Sequence, residues 1–272
     1  MNNKRVTAIV PTYNEAAVIE RALASLHWVD ELIVVDSFST DDTVKRASRF
    51  TRRVLFHEYE NSAAQKNWII PQATYPWILL LDADEAVTPG LATEIQHLLE
   101  KGPQHDAYWI GRDNHFMGRR VRFSGWQNDA VIRLFHRDRC RYEAKHVHAE
   151  IIAEGSVGRL QGRLLHYTYK DLPTFLAKMD RYTTWGAQDR FERGVNADGF
   201  RLLAKPLFRF LRHYLLKQGF RDGWVGLVIA LLSAHSVFLR TLKLMRLHAG
   251  ESLHQASNTA PVRAPCLKET IP

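Results

Sequence analysis

Asp82 and Asp84 stand at the end of the apolar run Trp77-Ile78-Leu79-Leu80-Leu81, and Glu85 follows at once. In extended chain, side chains at i and i+2 share a face. Two carboxylates so placed suit one hard divalent cation, Mg²⁺ or Mn²⁺, with phosphate oxygens completing its shell. An unbroken apolar run reads as a strand buried on both faces. Ionised carboxylates are too costly to leave unpaired in such a core, so the acids belong at the strand's exit. In open α/β sheets, ligands bind at the carboxyl ends of the strands. Further polar groups recur where strands should end: Thr12, Asn14 and Glu15 after the first, and Asp36 after the second. Singly, each has a plainer use. Asp36 can cap the next helix, Thr12 and Asn14 can be turn residues, and Lys66 can be a solvated charge.

The elements that must position these groups follow a repeat. Val6 to Val10 is β-rich and ends at Pro11, and Ala16 to Leu26 has helical spacing. Glu31 to Val35 ends at Asp36, after which Ser37 to Asp42 offers N-cap chemistry for a helix through Phe50. Arg53 to Phe56 is a third short strand, before a helix carrying Gln65, Lys66 and Asn67. After the central strand, Thr88-Pro89 is an N-cap and N1 pair for a helix ending near Lys101-Gly102-Pro103. Strands alternating with helices predict βαβ units and a parallel sheet over residues 1–105. Segments 106–112, 121–124, 130–137 and 146–153 read as short strands without intervening helices, so mixed pairing should extend the sheet over 106–170. From residue 171 the chain turns helical: 172–193, 200–218 and 224–248. The tail, 249–272, is expected to be disordered.

The formal net charge is +8, and residues 201–250 carry all of it, with nine bases against the single acid Asp222. Cys140 and Cys266 are far apart and offer neither a disulfide framework nor zinc spacing, which fits a reducing compartment. The chain reaches Pro11 without a signal h-region, so the body is expected in the cytosol. Neither the dinucleotide fingerprint nor the P-loop glycine pattern is present. A metal is then the expected means of neutralising a pyrophosphate.

Three stretches together carry a resemblance: Val10-Pro11-Thr12-Tyr13-Asn14-Glu15, Ile33-Val34-Val35-Asp36-Ser37-Phe38-Ser39-Thr40-Asp41 and Leu80-Leu81-Asp82-Ala83-Asp84-Glu85. They resemble the successive motifs of family 2 glycosyltransferases of the GT-A fold, those of lipopolysaccharide core biosynthesis above all. The resemblance implies an inverting transfer from a UDP-sugar, with UDP-glucose the expected donor and the lipopolysaccharide core the expected acceptor. It implies that Thr12, Asn14, Glu15 and Asp36 hold the uridine and that Lys66 reaches the donor phosphates. Asp84 would bind the cation, with Asp82 supporting it or contacting the ribose.

An inverting transfer needs a base for the acceptor hydroxyl. Asp129, in Gly125-Trp126-Gln127-Asn128-Asp129, is the first expectation and Glu150 the rival. His146, His148 and Glu150 alternate along one expected strand face, which makes His148 a candidate late metal ligand. A solvated strand face is the plainer reading.

Residues 224–239 form an apolar stretch of 16, short of the roughly 20 needed to span a bilayer, with bases and aromatics on both flanks. This composition reads as a basic amphipathic helical segment lying on an anionic membrane surface. The alternative is a buried helical subdomain with a solvated basic face. Nucleic acid is a poorer partner, since the long apolar core would have no role there. The expectation is thus a GT-A nucleotide-sugar fold over 1–170 and a membrane-associating helical segment over 171–248, on the inner face of the inner membrane. Two alternatives stand beside it: a glycosyltransferase acting on a polyprenyl-phosphate acceptor, and a non-catalytic basic membrane-binding protein.

Overall fold

The computed structural model describes residues 4–143, 150–168 and 172–253. The chain resolves into two units. One holds residues up to Asp113 and Asn128–His166, and the other holds Asn114–Gln127 and the segment from Tyr167 onward.

In the first unit the order is β1 (Val6–Thr12), α1 (Ile19–Ala24), β2 (Glu31–Asp36), α2 (Thr43–Ala47), β3 (Val54–Phe56), α3 (Ser62–Ile69), β4 (Trp77–Leu80), β5 (Glu85–Val87) and α4 (Pro89–Lys101). Then come β6 (Ala107–Phe116), β7 (Arg119–Arg120), β8 (Ala130–His136), β9 (Cys140–Tyr142), β10 (Ile151–Ala153) and β11 (Val157–Tyr167); β7 and the end of β6 belong to the second unit. The sheet order is β3-β2-β1-β4-β8-β6-β11-β5. β1 pairs in parallel with β2 and β4, and β2 with β3, whereas β8 joins β4 and β6 antiparallel, and β11 joins β5 antiparallel. The expected α/β sheet, parallel at first and extended by mixed strands, is what the chain forms.

The central strands are apolar throughout because both their faces are covered. Ala8, Val10, Leu79 and Leu81 share a cluster with Ile19 and Leu23 of α1 and Leu91 and Ile95 of α4. The alternate residues Ile9, Ile33, Ile78 and Leu80 pack with Ile69 of α3 and Phe135 of β8. Period-two alternation thus serves two cores instead of one core and water. Thr88 starts α4 as expected, its hydroxyl accepting the Leu91 N–H (3.3 Å) and donating to the Arg163 carbonyl (2.9 Å). Beside it, a Cβ on Gly162 would lie 2.8 Å from Leu91 Cα, so only glycine lets β11 approach α4 this closely.

The structure departs from the sequence pattern in several places, β7 and β9 among them. The expected strand over 121–124 is a loop, for a reason found in the second unit. Neither β5 nor β11 was anticipated. β5 has three residues, and β11 interleaves Arg159, Gln161 and Arg163 with its apolar positions. The expected strand over 146–153 is β10 from Ile151; His146 and His148 lie outside the described residues, as does the tail from residue 254.

The second unit is built on α5 (Leu172–Glu192), α6 (Gly199–Leu211) and α7 (Trp224–His248), with a π-helical turn after α6 at Arg212–Leu216. Both α5 and α6 pack on α7. The Asp222 carboxylate, just before α7, accepts the N–H groups of Arg122 and Phe123 (2.9 and 3.0 Å) and the Ser124 hydroxyl (2.8 Å). This clamp claims the backbone groups that a strand over 121–124 would have used. His213 donates from Nδ1 to the Ser124 carbonyl (3.0 Å) and is fully buried.

Burial pushes the His213 imidazole down to about 4, and the neighbouring Arg209, Arg212 and Lys217 push the same way against the Ser124 hydrogen bond. The unfolded chain, with an ordinary histidine near 6.5, therefore takes up this proton first. The stabilisation is complete above about pH 6.5 and is lost as pH falls toward 4. The stability gap between wild type and His213→Asn is expected to narrow over that window by up to about 1.4 kcal/mol per pH unit. Thermal denaturation followed from pH 7 to pH 5 measures it, and a constant gap would contradict the assignment.

Candidate active site

The loops that follow β1 and β2 are stitched to each other. Thr12 lies opposite Asp36 in the parallel register, and Ser37 donates its N–H to the Thr12 carbonyl (3.0 Å). Asp36 is fully buried, and its two oxygens accept the Ser39 N–H (2.7 Å) and hydroxyl (2.5 Å). The Ser39 oxygen in turn accepts the Asn14 N–H (2.8 Å), while Asn14 Oδ1 accepts the Thr40 N–H (2.8 Å). Glu15 donates its N–H to Thr43 Oγ1 (2.7 Å). Ser39, expected as cap chemistry, binds the neighbouring loop instead, while Asp41 does both, accepting the Thr43 N–H at the start of α2 (3.0 Å) and the Ala16 N–H of the neighbouring loop (3.1 Å). Asn14 (φ 52°) and Phe38 (φ 59°) both adopt the left-handed region, which costs non-glycine residues energy and collects at functional sites. The Thr12 hydroxyl is buried without a hydrogen-bond partner among the described residues. Beside Asp36, the rings of Phe38 and Phe56 stack at 5.8 Å and are half exposed, a flat apolar surface that sequence reasoning missed.

At the exit of β4 the chain does not continue extended. Glu85 returns its N–H to the Asp82 carbonyl (2.9 Å), and the Asp82 N–H reaches Glu85 Oε2 (3.1 Å). The i, i+2 argument therefore fails locally, and the two aspartates take different partners. Asp82 pairs with Arg133 and lies 4.0 Å from the buried Lys66 ammonium, which sits 4.8 Å over the Tyr142 ring. Asp84, a third exposed, faces His166, whose Nε2 is 3.8 Å from Oδ2. The register His166 to Glu85 between β11 and β5 brings that histidine there.

Behind the turn runs a chain of alternating charges. Arg133 contacts Glu85 Oε1 at 2.8 Å, Arg112 contacts the same oxygen at 3.4 Å, and Arg112 then grips Asp129 through two hydrogen bonds of 2.8 Å. Glu85, Arg112, Arg133 and Asp129 are all buried. Burial opposes the Arg112 charge, but Asp129 and Glu85 outweigh it, so the guanidinium is held above its ordinary range. Asp82, Glu85 and Asp129 are balanced by Lys66, Arg112 and Arg133, which is how so much charge is tolerated beneath the surface.

Of the expected site residues, the structure brings together Thr12, Asn14, Glu15 and Asp36 at one stitched loop pair, and Lys66 with Asp82 at the other strand end. Asp129 is locked to Arg112. Glu150 is exposed, and its carbonyl accepts the Glu143 N–H (2.9 Å). His148 lies outside the described residues. No cluster of three metal-binding side chains occurs among the described residues. Asp84 with His166, one carboxylate and one imidazole at an open turn, fits a cation whose remaining positions are filled by a substrate diphosphate.

Residues 7–154 match the family described as "Glycosyl transferase family 2". The chain is 27% identical over 251 residues to the lipopolysaccharide core biosynthesis glycosyltransferase LpsC of Rhizobium meliloti, covering 90% of this chain and 93% of that one. It is also 27% identical to an uncharacterized glycosyltransferase of Rickettsia typhi, covering 90% of this chain and 88% of that one. Among solved structures, S. aureus TarS 1-349 in complex with UDP-GlcNAc is similar with a TM-score of 0.47 and 13% identity, over 92% of this chain and 93% of that one.

Breaking a buried ion pair from one side leaves an uncompensated charge and costs about 3–5 kcal/mol. Glu85→Gln, which removes the buried charge that two guanidiniums share, is expected to lose that much stability, while Asp84→Ala at the more open turn stays within about 0.5 kcal/mol of wild type. Thermal or urea denaturation separates the two; equal losses would contradict the division between the buried charge chain and the exposed carboxylate.

Proposed function

We propose, because this chain belongs to glycosyltransferase family 2, that it moves glucose from UDP-glucose onto a growing lipopolysaccharide core with inversion at the transferred carbon. It is a glycosyltransferase related to a lipopolysaccharide core biosynthesis enzyme. The observation that carries the reading is the pairing of Asp84 with His166 at the turn after β4, where the neighbouring Asp82 lies 4.0 Å from the buried cation Lys66, on a sheet whose β2 exit offers the buried Asp36.

In this reading the uridine lies against the stitched loops. Asp36, fixed from both oxygens by Ser39, offers a rigid acceptor edge, and the exposed Phe38 and Phe56 rings border it. Lys66 and Arg133 fix the Asp82 carboxylate in place, leaving it to accept hydrogen bonds from the ribose instead of leading the metal shell. Asp84 and His166 would hold Mg²⁺ or Mn²⁺, which supplies positive charge against the negative charge that grows on departing UDP. Fixed donors and charges of this kind need no reorganisation when the bond breaks.

For the base, Asp129 and Glu150 now differ in kind. Both oxygens of Asp129 are taken by Arg112 in a buried pair, so it serves to hold that guanidinium in place. Glu150 is exposed and can meet an acceptor hydroxyl, which makes it the base in this proposal. The LpsC relationship supports a lipopolysaccharide-core acceptor, and in this proposal the enzyme works as a peripheral protein on the inner face of the inner membrane. A polyprenyl-phosphate acceptor is the second reading, favoured by the nine bases of residues 201–250.

Transfer from labelled UDP-glucose to truncated core acceptor tests the assignment. Glu150→Gln is expected to lower kcat by about 10² or more with the donor KM within about twofold of wild type. Unchanged turnover would remove Glu150 as the base.

A further inference from the structure

We infer that the helical unit docks in the plane of an anionic phospholipid leaflet through one face of α6 and the start of α7, and that α7 does not cross the membrane. This deepens the peripheral localisation proposed above and rests on it, but not on the sugar transferred.

The 13 residues of α6 include none that is buried. Phe200, Leu203, Leu207 and Leu211, at i, i+3, i+7 and i+11, share one face, and Phe200 and Leu203 are 81% and 70% exposed. Further apolar side chains are exposed past the helix, at Leu216 (72%) and on α7 at Trp224, Leu227 and Leu231, again at i, i+3 and i+7. So much exposed apolar surface on two packed helices is not left to water without a use. Arg201, Lys205, Arg209 and Arg212, at i, i+4, i+8 and i+11, line the flank of the same helix. An apolar face bordered by a basic stripe is the pattern of a helix lying in a membrane interface.

Charge selects the occupant. Residues 199–221 hold six bases and no acid, and the neighbouring Asp222 is spent on the clamp to Arg122, Phe123 and Ser124. An anionic leaflet adds about 1 kcal/mol for each base brought near it. A second copy of this chain would instead bring the same six bases into opposition, and like charges across an interface are costly.

α7 is long and apolar enough to span a membrane by composition. One face of it is otherwise engaged. Val225, Ile229, Ser233, Val237, Thr241 and Leu244 form a buried stripe at spacings of four and three, and both α5 and α6 pack on the helix. A Cβ on Gly226 would fall 1.8 Å from the Gly219 carbonyl oxygen, so the start of α7 is fitted to the turn before it. Insertion would have to strip these contacts away. α7 is the spine of the unit, and α6 is its membrane face.

The test is sedimentation of the full chain with vesicles of phosphatidylglycerol and phosphatidylcholine, against phosphatidylcholine alone. Binding at least tenfold tighter to the anionic vesicles is expected, with release in roughly 1 M salt, where the screening length falls to about 3 Å. Leu203→Ser combined with Leu207→Ser should weaken binding at least tenfold with helix content unchanged by circular dichroism. Arg201→Gln and Arg209→Gln should each weaken it about fivefold. Equal binding to both vesicle types, or a double leucine variant that binds as wild type does, would overturn the proposal. Retention through both salt and alkaline carbonate would show α7 spanning the bilayer and overturn it too, as would self-association that abolishes vesicle binding. UDP titration of the same samples keeps the two readings apart: lost UDP binding with intact docking is a failure of the transferase reading alone.

Discussion

The structure around the site depends on one buried carboxylate. Glu85 is fully buried, with Arg112 and Arg133 both on its Oε1 and the Asp82 N–H on its Oε2. These contacts close the turn that ends β4 and begin β5. They also tie β6 and β8, through Arg112 and Arg133, to the strand end where the acids sit. An ion chain of this kind is a poor source of net stability, because desolvation offsets most of the attraction. What it supplies is position: a side chain held between two charges in a medium of low polarity has few other places to go.

Position is what separates two aspartates that look alike in sequence. With Arg133 engaged by Glu85 and Asp82 together, Asp82 is drawn toward the buried cations, and Asp84 is left at the outer side of the turn facing His166. One carboxylate is thus committed to the protein's own charge balance and the other to the open side. The loops after β1 and β2 show the same economy. Ser39 holds Asp36 with its N–H and hydroxyl while accepting from Asn14, so the two strand ends move as one piece. A transferase that must bind a flexible diphosphate gains from such rigidity, since groups already in place need not be ordered when the donor arrives.

Much of this was legible in the sequence, for reasons that can be named. The parallel half of the sheet reads clearly because strands covered on both faces are apolar at every position, and Thr88-Pro89 marks the start of α4 by local chemistry alone. Asp36, Asp82 and Asp84 could be found because they interrupt such runs. What remained hidden is long-range. Nothing near residue 121 announces that Asp222, some hundred residues on, will take its backbone donors. β11 alternates arginine and glutamine with leucine, so it carries little strand signal, and with it went His166, one of 13 histidines until β11 pairs with β5. Neither Arg112 nor Arg133 was singled out from the sequence. A base set within an otherwise apolar strand, as in Val131-Ile132-Arg133-Leu134-Phe135, is the one local sign that such a residue has a buried acid to meet.

The central claim is that Asp84 and His166 together present a cation to a nucleoside diphosphate while Asp82 does not lead that shell. Calorimetric titration of UDP into the purified protein, with Mn²⁺ and then with chelator, measures it most directly. The account predicts binding that requires Mn²⁺ and is weakened at least tenfold by either Asp84→Ala or His166→Ala, each still folded by circular dichroism at the temperature of the titration. Metal-dependent binding that survives both substitutions would contradict it, and so would UDP binding that is indifferent to Mn²⁺.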